Sequence, residues 1–267
     1  MSADIKTLRN RIKSVDSTLH LTKAMGLVAS SKIRRAQENM KKSREYKDAF
    51  ESVVASLASS RECENSPYLK TVQDKSTKII VIAGDRGLAG GYNANVFRLA
   101  KEYEDAEFIP IGKRACERFS GELYFAETFS KADALNLSKR LCNEFENGEY
   151  SKLGIISTKY VSMMTQEAQI KWILPLVKDE NKKDTSILFE PDEITILNTV
   201  MSEYVAGFIM AEVKESFASE VAARRCAMDS AGKNAQQMID DLELSYNRAR
   251  QGAITQELTE IVAGSNT

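Results

Sequence analysis

The four prolines of this chain all lie between residues 67 and 191. No proline precedes Pro67 and none follows Pro191, and both flanks carry apolar residues at helical spacing. Because a proline costs about 3 kcal/mol in a helix interior, two long proline-free flanks around an interrupted middle favour two very long helices. We therefore expect an N-terminal helix over 1–60, an α/β domain over 61–191 and a C-terminal helix over 192–267.

The N-terminal flank repeats apolar or small residues at alternating spacings of three and four. This repeat is a heptad seam, the pattern of a coiled coil. An ordinary helix is about 11–12 residues long, so a seam sustained to about Ser59 favours a coiled coil over a helix packed on a small core. The seam positions are Ile5, Leu8, Ile12, Val15, Leu19, Thr22, Gly26, Ala29, Ile33, Ala36 and Met40.

The C-terminal flank predicts a matching helix. Pro191 followed by Asp192 and Glu193 is typical of a helix start, and the helix would continue to about Val262, with a break near Gly207 left open. We expect the two flanks to form an antiparallel coiled coil, with the stretch 247–262 extending beyond its partner helix to contact another protein. The expected seam is Phe217, Val221, Arg224, Met228, Ala231, Ala235, Met238, Leu242, Ser245, Ala249 and Gly252.

The middle of the chain alternates strand and helix patterns. Lys78–Ala83 contains a continuous apolar run, as in a strand buried on both faces. The alternation predicts a mostly parallel sheet with Rossmann-like layering. The expected elements after the first strand are helix Tyr92–Tyr103, strand Phe108–Ile111, helices Arg114–Phe119 and Ala132–Phe145, and strands Leu153–Tyr160 and Ala168–Leu174.

A glycine-rich loop, Gly84–Gly91, follows the first strand and precedes a helix, which is also the layout of phosphate sites. No Lys-Ser or Lys-Thr follows its last glycine, and G-x-G-x-x-G is absent. We expect a structural turn fixed by an Asp85–Arg86 ion pair, with a nucleotide site and a protein contact as alternatives. The loop residues singled out are Asp85, Arg86, Gly87, Gly90 and Gly91.

The composition points away from catalysis. His20 is the single histidine, and the four cysteines, spaced too widely for metal-ligand motifs, are expected to be reduced structural thiols. We expect no catalytic residue, no cofactor and no metal. With a net charge of -1 and no run of about 20 apolar residues, the chain is expected neither to bind nucleic acid nor to insert directly into a membrane.

Positive charge is concentrated at the N-terminus, where residues 1–47 contain 12 Lys and Arg against four Asp and Glu. Such a run is either a solvated helix face or a surface for an acidic partner. Arg9, Lys13, Arg34 and Arg35 belong to this run, and charge alone does not decide between the two interpretations.

Three groups of segments, taken together, resemble the gamma subunit of F-type ATP synthases, of bacterial type. Residues 11–15, 21–25 and 29–36 resemble the opening helix of that family. The loop 85–95, Asp-Arg-Gly-Leu-Ala-Gly-Gly-Tyr-Asn-Ala-Asn, resembles its central signature. Residues 218–224, 227–229 and 246–262 resemble its C-terminal helix, and the order of all segments agrees.

The resemblance implies a non-catalytic central rotor shaft. It would couple ion translocation through a membrane ring of c subunits to ATP synthesis or hydrolysis on the beta subunits of an alpha/beta hexamer. The implied partners are the alpha, beta and epsilon subunits and the c ring, and the implied location is peripheral, on the cytoplasmic side of a bacterial cell membrane. The implied beta-subunit contacts are Arg250, Gln251, Thr255, Glu257, Met25, Arg9, Lys13, Arg34 and Arg35. The alternative from another class is a static coiled-coil scaffold with an α/β head.

Overall fold

A computed structural model of the chain describes residues 2–70, 75–177 and 189–265. The element order agrees with the prediction: two very long helices enclose a strand-and-helix middle. The helices are α1 (Ser2–Ser59), α2 (Tyr92–Ala100), α3 (Lys113–Phe119), α4 (Lys131–Glu146) and α5 (Glu193–Ser265). The strands are β1 (Thr77–Ile82), β2 (Glu107–Ile111), β3 (Lys152–Tyr160) and β4 (Gln166–Leu174). Short 3₁₀ turns occupy Glu62–Asn65, Pro67–Leu69 and Lys101–Tyr103.

The chain divides into two compact units. The helix-pair unit consists of Met1–Ser30 and Arg224–Thr267, and the sheet unit of Ser31–Ala223. Both long helices therefore contribute residues to both units. The domain boundaries expected at residues 60 and 191 stay predictions.

The helix-pair unit is an antiparallel pair of helices. Leu19 packs with Ala235 and Ile239 in a small buried cluster. About two turns later in α1, a Cβ built on Gly26 would lie 3.7 Å from the Cβ of Met228. Rising numbers in α1 thus meet falling numbers in α5, which confirms the predicted antiparallel arrangement for this unit.

The phase of the α5 seam differs from the prediction beyond Ala235. Met238 is exposed, and Ile239 is buried in its place. In the same way, Ser245 and Gly252 are exposed, whereas the residues that follow them, Tyr246 and Ala253, are half-buried. The sequence is compatible with a seam that continues three residues after Ala235, at Met238, or four residues after it, at Ile239. In the structure the buried residue is Ile239.

The α5 helix runs through Gly207 without a break. A Cβ at Gly207 would lie 3.0 Å from the Tyr46 ring, so this glycine permits close approach of α1 and α5 rather than interrupting a helix. At the start of α5, the Asp192 carboxylate accepts hydrogen bonds from the backbone N–H of Thr195 (2.8 Å) and from its hydroxyl (2.9 Å). These bonds lower the pKa of Asp192 and cap the helix as the sequence predicted.

The sheet has the strand order β2-β1-β3-β4. β1 pairs in parallel with β2 and with β3, while β3 pairs antiparallel with β4. The expected mostly parallel sheet is confirmed, with one antiparallel strand at an edge. β1 is fully buried from Ile79 to Ile82, because helices cover both of its faces.

Two apolar clusters form the layers of the sheet unit. On one face, Ile80 and Ile82 pack with α4 and with the first turns of α5 through residues such as Leu141 and Met201. On the other face, Ile79 and Val81 pack with α2 and α3. This helix–sheet–helix layering is the one that the alternating pattern predicted.

Within the described residues, α5 is the one helix whose length and composition would allow it to cross a membrane. Its most apolar window has a mean hydropathy of 1.4, and half of that window is buried inside the protein. This finding differs from the expectation that no sufficiently apolar run exists. Since core helices share these properties, it is weak evidence for a membrane span.

Candidate partner-contact surfaces

The end of α5, residues 250–264, is named here the α5 tip. Every residue over 254–264 is exposed. Side-chain hydrogen bonds of the tip run along the helix, such as Thr255 Oγ1 donating to the Gln251 carbonyl at 2.9 Å. The four tip residues predicted to contact a beta subunit are all exposed: Arg250, Gln251, Thr255 and Glu257.

The α5 tip also carries an apolar stripe that the sequence analysis did not single out. Ile254, Leu258 and Ile261 follow one another at spacings of four and three, so they share one helix face, and Val262 adjoins them. Their exposed fractions are 48%, 58%, 67% and 60%. Single exposed apolar residues are ordinary, but a row of four on one helix end is typical of a contact surface.

The candidate contact residues in the first part of α1 do not form a single patch. Arg9 and Lys13 are exposed and four residues apart, hence on one face. Met25 is half-buried and lies about 18 Å farther along the helix than Lys13, at 1.5 Å per residue. If all three contact a partner, they contact it at different places.

The basic stretch in the sheet unit is partly neutralised by the protein itself. Arg34 forms an ion pair with Glu38 one turn later (3.1 Å), while Arg35 is exposed. Lys32 pairs with Glu127, and Arg44 pairs with the buried Glu215 at 2.8 Å. The count of N-terminal cations therefore overstates the positive charge available to a partner.

A groove of about 530 Å³ lies between the two helices of the helix-pair unit. Leu19 and Met228 form its apolar floor, and Gly26 and Gly232 line it. A Cβ on Gly232 would lie 3.6 Å from the Thr22 hydroxyl. Small residues at these positions let the helices approach closely and leave the space that larger seam residues would fill.

The Asp85 carboxylate in the glycine loop holds three backbone segments together. Its Oδ1 accepts hydrogen bonds from the N–H groups of Lys113 and Ala126, both at 3.0 Å, and its Oδ2 accepts one from Glu127 N–H at 2.9 Å. The expected Asp85–Arg86 ion pair is wrong, because Arg86 instead pairs with the Glu127 carboxylate at 3.6 Å.

The remainder of the loop is fixed by backbone conformation and by Asn93. Leu88 and Gly90 both have positive φ, of 61° and 58°. The Asn93 side chain accepts a hydrogen bond from Gly84 N–H (2.9 Å) and donates one to the Arg86 carbonyl (3.4 Å). The two other glycines predicted for this loop lie at its surface contacts and its end: Gly87 lies beside the Arg114 guanidinium, and Gly91 immediately precedes α2.

The same contacts weigh against a phosphate site in this loop. Phosphate sites of this type use free backbone N–H groups at the start of a helix. Here the first N–H group of α2, that of Tyr92, bonds to the Ala89 carbonyl at 3.2 Å, and Gly84 N–H bonds to the Asn93 side chain at 2.9 Å. The buried Glu220 carboxyl group lies 2.8 Å from the position of a Cβ on Gly84, so its oxygen atoms occupy the base of the loop. This geometry favours the structural interpretation.

The histidine and the four cysteines are side chains of the types most often used in metal binding and nucleophilic catalysis. Over 2–70, 75–177 and 189–265, no group of three or more His, Cys, Asp or Glu residues could hold a metal ion. His20 is exposed and lies 3.7 Å from Asp16 on the same helix. All four cysteines are free thiols. Burial raises the pKa of Cys63 to about 11 and that of Cys142 to about 12, so both are unreactive at neutral pH.

Comparison with known proteins assigns a family to these features. The ATP synthase family model matches residues 4–267. The chain is 40% identical, over 281 aligned residues, to the ATP synthase gamma chain of Ruminococcus albus, and the alignment covers 98% of each chain.

Solved structures share the fold. One chain of the Euglena gracilis mitochondrial ATP synthase, in an assembly of OSCP, F1 and c ring, matches with a TM-score of 0.70 at 17% identity, covering 100% of this chain and 95% of that one. A rotor structure of the same enzyme gives 0.68 at 16% identity, covering 95% and 100%. The central stalk of the Tetrahymena thermophila enzyme gives 0.60 at 19% identity, covering 79% and 99%. At these identities the match concerns the fold alone.

Proposed function

Since the chain belongs to the ATP synthase gamma-chain family, we propose that it is the central rotor shaft of an F-type ATP synthase. It transmits ion-driven rotation of a c ring to an alpha/beta hexamer and itself carries no catalytic residue, because the catalytic sites lie on the beta subunits. Its other partner is an epsilon subunit, and it works peripherally on the cytoplasmic side of a bacterial cell membrane. The observation that carries this proposal is the family match across the whole chain, at 98% coverage.

The antiparallel helix pair supports this role. A protein shifts the conformation of a neighbour only when it makes different contacts with the neighbour's different states. The helix pair presents unlike faces around its axis, with Arg9 and Lys13 on one face of α1 and the groove floored by Leu19 and Met228 on another. As the shaft turns, each beta subunit meets these faces in succession.

Exposed charges suit contacts that must be remade at every step. Ion pairs between solvent-exposed residues contribute about 0–1 kcal/mol each, so Arg9, Lys13 and Arg35 guide acidic beta segments without holding them. The α5 tip combines polar groups with the apolar stripe, and we assign it to the inner surface of the hexamer. There the apolar stripe provides contact without directional bonds.

Purification with alpha and beta subunits separates a rotor from a static scaffold. We expect one copy of this chain to copurify with each alpha/beta hexamer, and the resulting complex to hydrolyse ATP. A scaffold would bind without a fixed one-per-hexamer ratio and would confer no hydrolysis. That result would overturn the proposal.

Replacing Arg250 and Gln251 by alanine is expected to reduce ATP turnover of the reconstituted complex. Each charge-assisted hydrogen bond contributes about 1.5–3 kcal/mol, and 1.4 kcal/mol corresponds to about a tenfold change in rate. We therefore expect Arg250→Ala to lower turnover by about tenfold and Gln251→Ala by less, in steady-state hydrolysis assays.

The matched control is Gln237→Ala, an exposed polar residue of the same helix that is not a predicted contact. All three positions are exposed, so circular dichroism of the purified chains should be unchanged. Full turnover in both Arg250→Ala and Gln251→Ala would show that these two tip residues do not contribute to ATP turnover. The rotor assignment would stand.

A further inference from the structure

One face of α5 is polar although it is buried. Glu212, Glu215, Ser216 and Ser219 are only 1%, 6%, 0% and 0% exposed. Their spacing of three, four and seven places them on one side of the helix. Burying polar groups is costly unless each is hydrogen-bonded, so the partners of this face indicate its role.

The partners lie on β3, where that strand runs past the end of its neighbour. β1 pairs with β3 only as far as Ile156, whereas β3 continues to Tyr160. Beyond Ile156, no strand among the described residues pairs with this edge of β3. A free edge leaves backbone N–H and C=O groups without partners.

Side chains of α5 take the place of the missing strand. Thr158 N–H donates to Ser216 Oγ at 3.0 Å, and the Ser219 hydroxyl donates to the Thr158 carbonyl at 3.1 Å. Two residues on, Tyr160 N–H donates to Glu215 Oε1 at 3.1 Å. The helix is thus bonded to the backbone of the sheet.

Side-chain donors from β3, β4 and α1, two of them charged, fix the two carboxylates. Glu212 accepts hydrogen bonds from the Ser157 hydroxyl of β3 at 2.6 Å and from Lys171 of β4 at 2.7 Å. Glu215 also accepts one from Arg44 of α1 at 2.8 Å. Rotating or sliding α5 against the sheet would leave buried carboxylates and strand N–H groups without partners, and that cost is large.

We propose that this face, the α5 latch (Glu212, Glu215, Ser216 and Ser219), is the joint through which the β-sheet turns α5. The proposal rests on the rotor function proposed above. Apolar attraction is non-directional, whereas each latch bond forms in one register of the helix against the strand. Torque applied to the β-sheet therefore enters α5 at 212–219, and the latch residues act as positioning residues.

The first test uses the complete ATP synthase reconstituted into vesicles. Ser216→Ala/Ser219→Ala removes both serine bonds to Thr158. We expect assembly and ATP hydrolysis to persist while the number of ions pumped per ATP hydrolysed falls by about twofold or more, since the lost bonds no longer oppose slip. Ser230→Ala/Ser245→Ala, which changes two exposed serines of the same helix, should leave the ratio unchanged.

A second pair of variants separates positioning from folding. Glu215→Gln keeps an acceptor oxygen for Tyr160 N–H, whereas Glu215→Leu has a similar size and no acceptor. We expect the ion-to-ATP ratio to be higher in Glu215→Gln than in Glu215→Leu. A purely structural role would change the yield of assembled complex but not this ratio within it.

The outcomes distinguish the two proposals. If the wild-type chain assembles and pumps, and all latch variants pump at the wild-type ratio, the latch proposal is overturned and the rotor function stands. If complexes containing the wild-type chain do not couple hydrolysis to pumping, the rotor function fails and the latch proposal fails with it.

Discussion

Replacing Gly112 by alanine is expected to destabilise the sheet unit by at least about 4 kcal/mol, combining backbone strain with overpacking. Gly112 follows β2 with φ of 99° and ψ of 143°, a conformation essentially restricted to glycine. An added Cβ would also lie 2.0 Å from the Ala83 carbonyl oxygen. Neither backbone can move freely, because Ala83 N–H bonds to the Ile111 carbonyl and Gly112 N–H bonds to that of Tyr124.

Gly148→Ala provides the matched control for the backbone conformation alone. Gly148 has φ of 69°, yet no atom lies within 4 Å of its added Cβ, so we expect a loss of about 1 kcal/mol. Urea unfolding of the purified chains, followed by circular dichroism, measures both free energies. Equal losses in the two variants would show that the contact with Ala83 does not limit stability.

The proline distribution and the heptad repeats predicted the two long helices because both signals are local. The helix expected to continue to about Ser59 and the helix start expected at Pro191–Glu193 agree with the observed end of α1 at Ser59 and the observed start of α5 at Glu193. The sequence alone does not distinguish Met238 from Ile239 as the seam residue after Ala235, since both are large and apolar. Only packing against α1 selects Ile239.

The role of Asp85 could not be read from its neighbours in the sequence. The nearest opposite charge, Arg86, suggested a local ion pair, but the hydrogen-bond donors lie 28, 41 and 42 residues away along the chain. A carboxylate beside an arginine predicts a pair only when no unsatisfied backbone N–H group competes for it. In this fold the connections that follow β2 bring three such groups to it.

The α5 latch was hidden for a similar reason. On a long helix, carboxylates such as Glu212 and Glu215 are ordinarily solvated. The sequence does not give the register of β3 against β1, so it does not show that the end of β3 extends beyond the last residue paired with β1. The latch follows from strand register, which depends on the whole sheet. Family resemblance predicted the function without these contacts, because it relies on residue identity rather than on packing.

The apolar stripe of the α5 tip, by contrast, could have been predicted from the sequence. Ile254, Leu258 and Ile261 have clear helical spacing. The predicted contacts at this end of the helix were its polar residues, Arg250, Gln251, Thr255 and Glu257. Hydrophobic periodicity past the end of a coiled-coil partner is therefore a useful signal for contact surfaces.

Replacing Asp85 by alanine is expected to lower the free energy of unfolding by about 3 kcal/mol, since hydrogen bonds to a charged group contribute about 1.5–3 kcal/mol each and water replaces part of the loss at a half-buried site. Three N–H groups, those of Lys113, Ala126 and Glu127, lose their acceptor together. Urea unfolding followed by the fluorescence of Trp172, the single tryptophan of the chain, measures the change.

Asp85→Asn tests whether the bond pattern or the side-chain volume matters. The amide oxygen can still accept from Lys113 and Ala126, but the amide nitrogen would face the N–H of Glu127, donor against donor. We expect a loss between that of Asp85→Ala and that of the control Asp105→Ala, an exposed carboxylate in the turn before β2. Equal stabilities for Asp85→Asn and the wild type would show that Oδ2 contributes nothing. Equal stabilities for Asp85→Ala and Asp105→Ala would mean that water satisfies all three N–H groups and that the glycine loop is held by Asn93 and its backbone conformation instead.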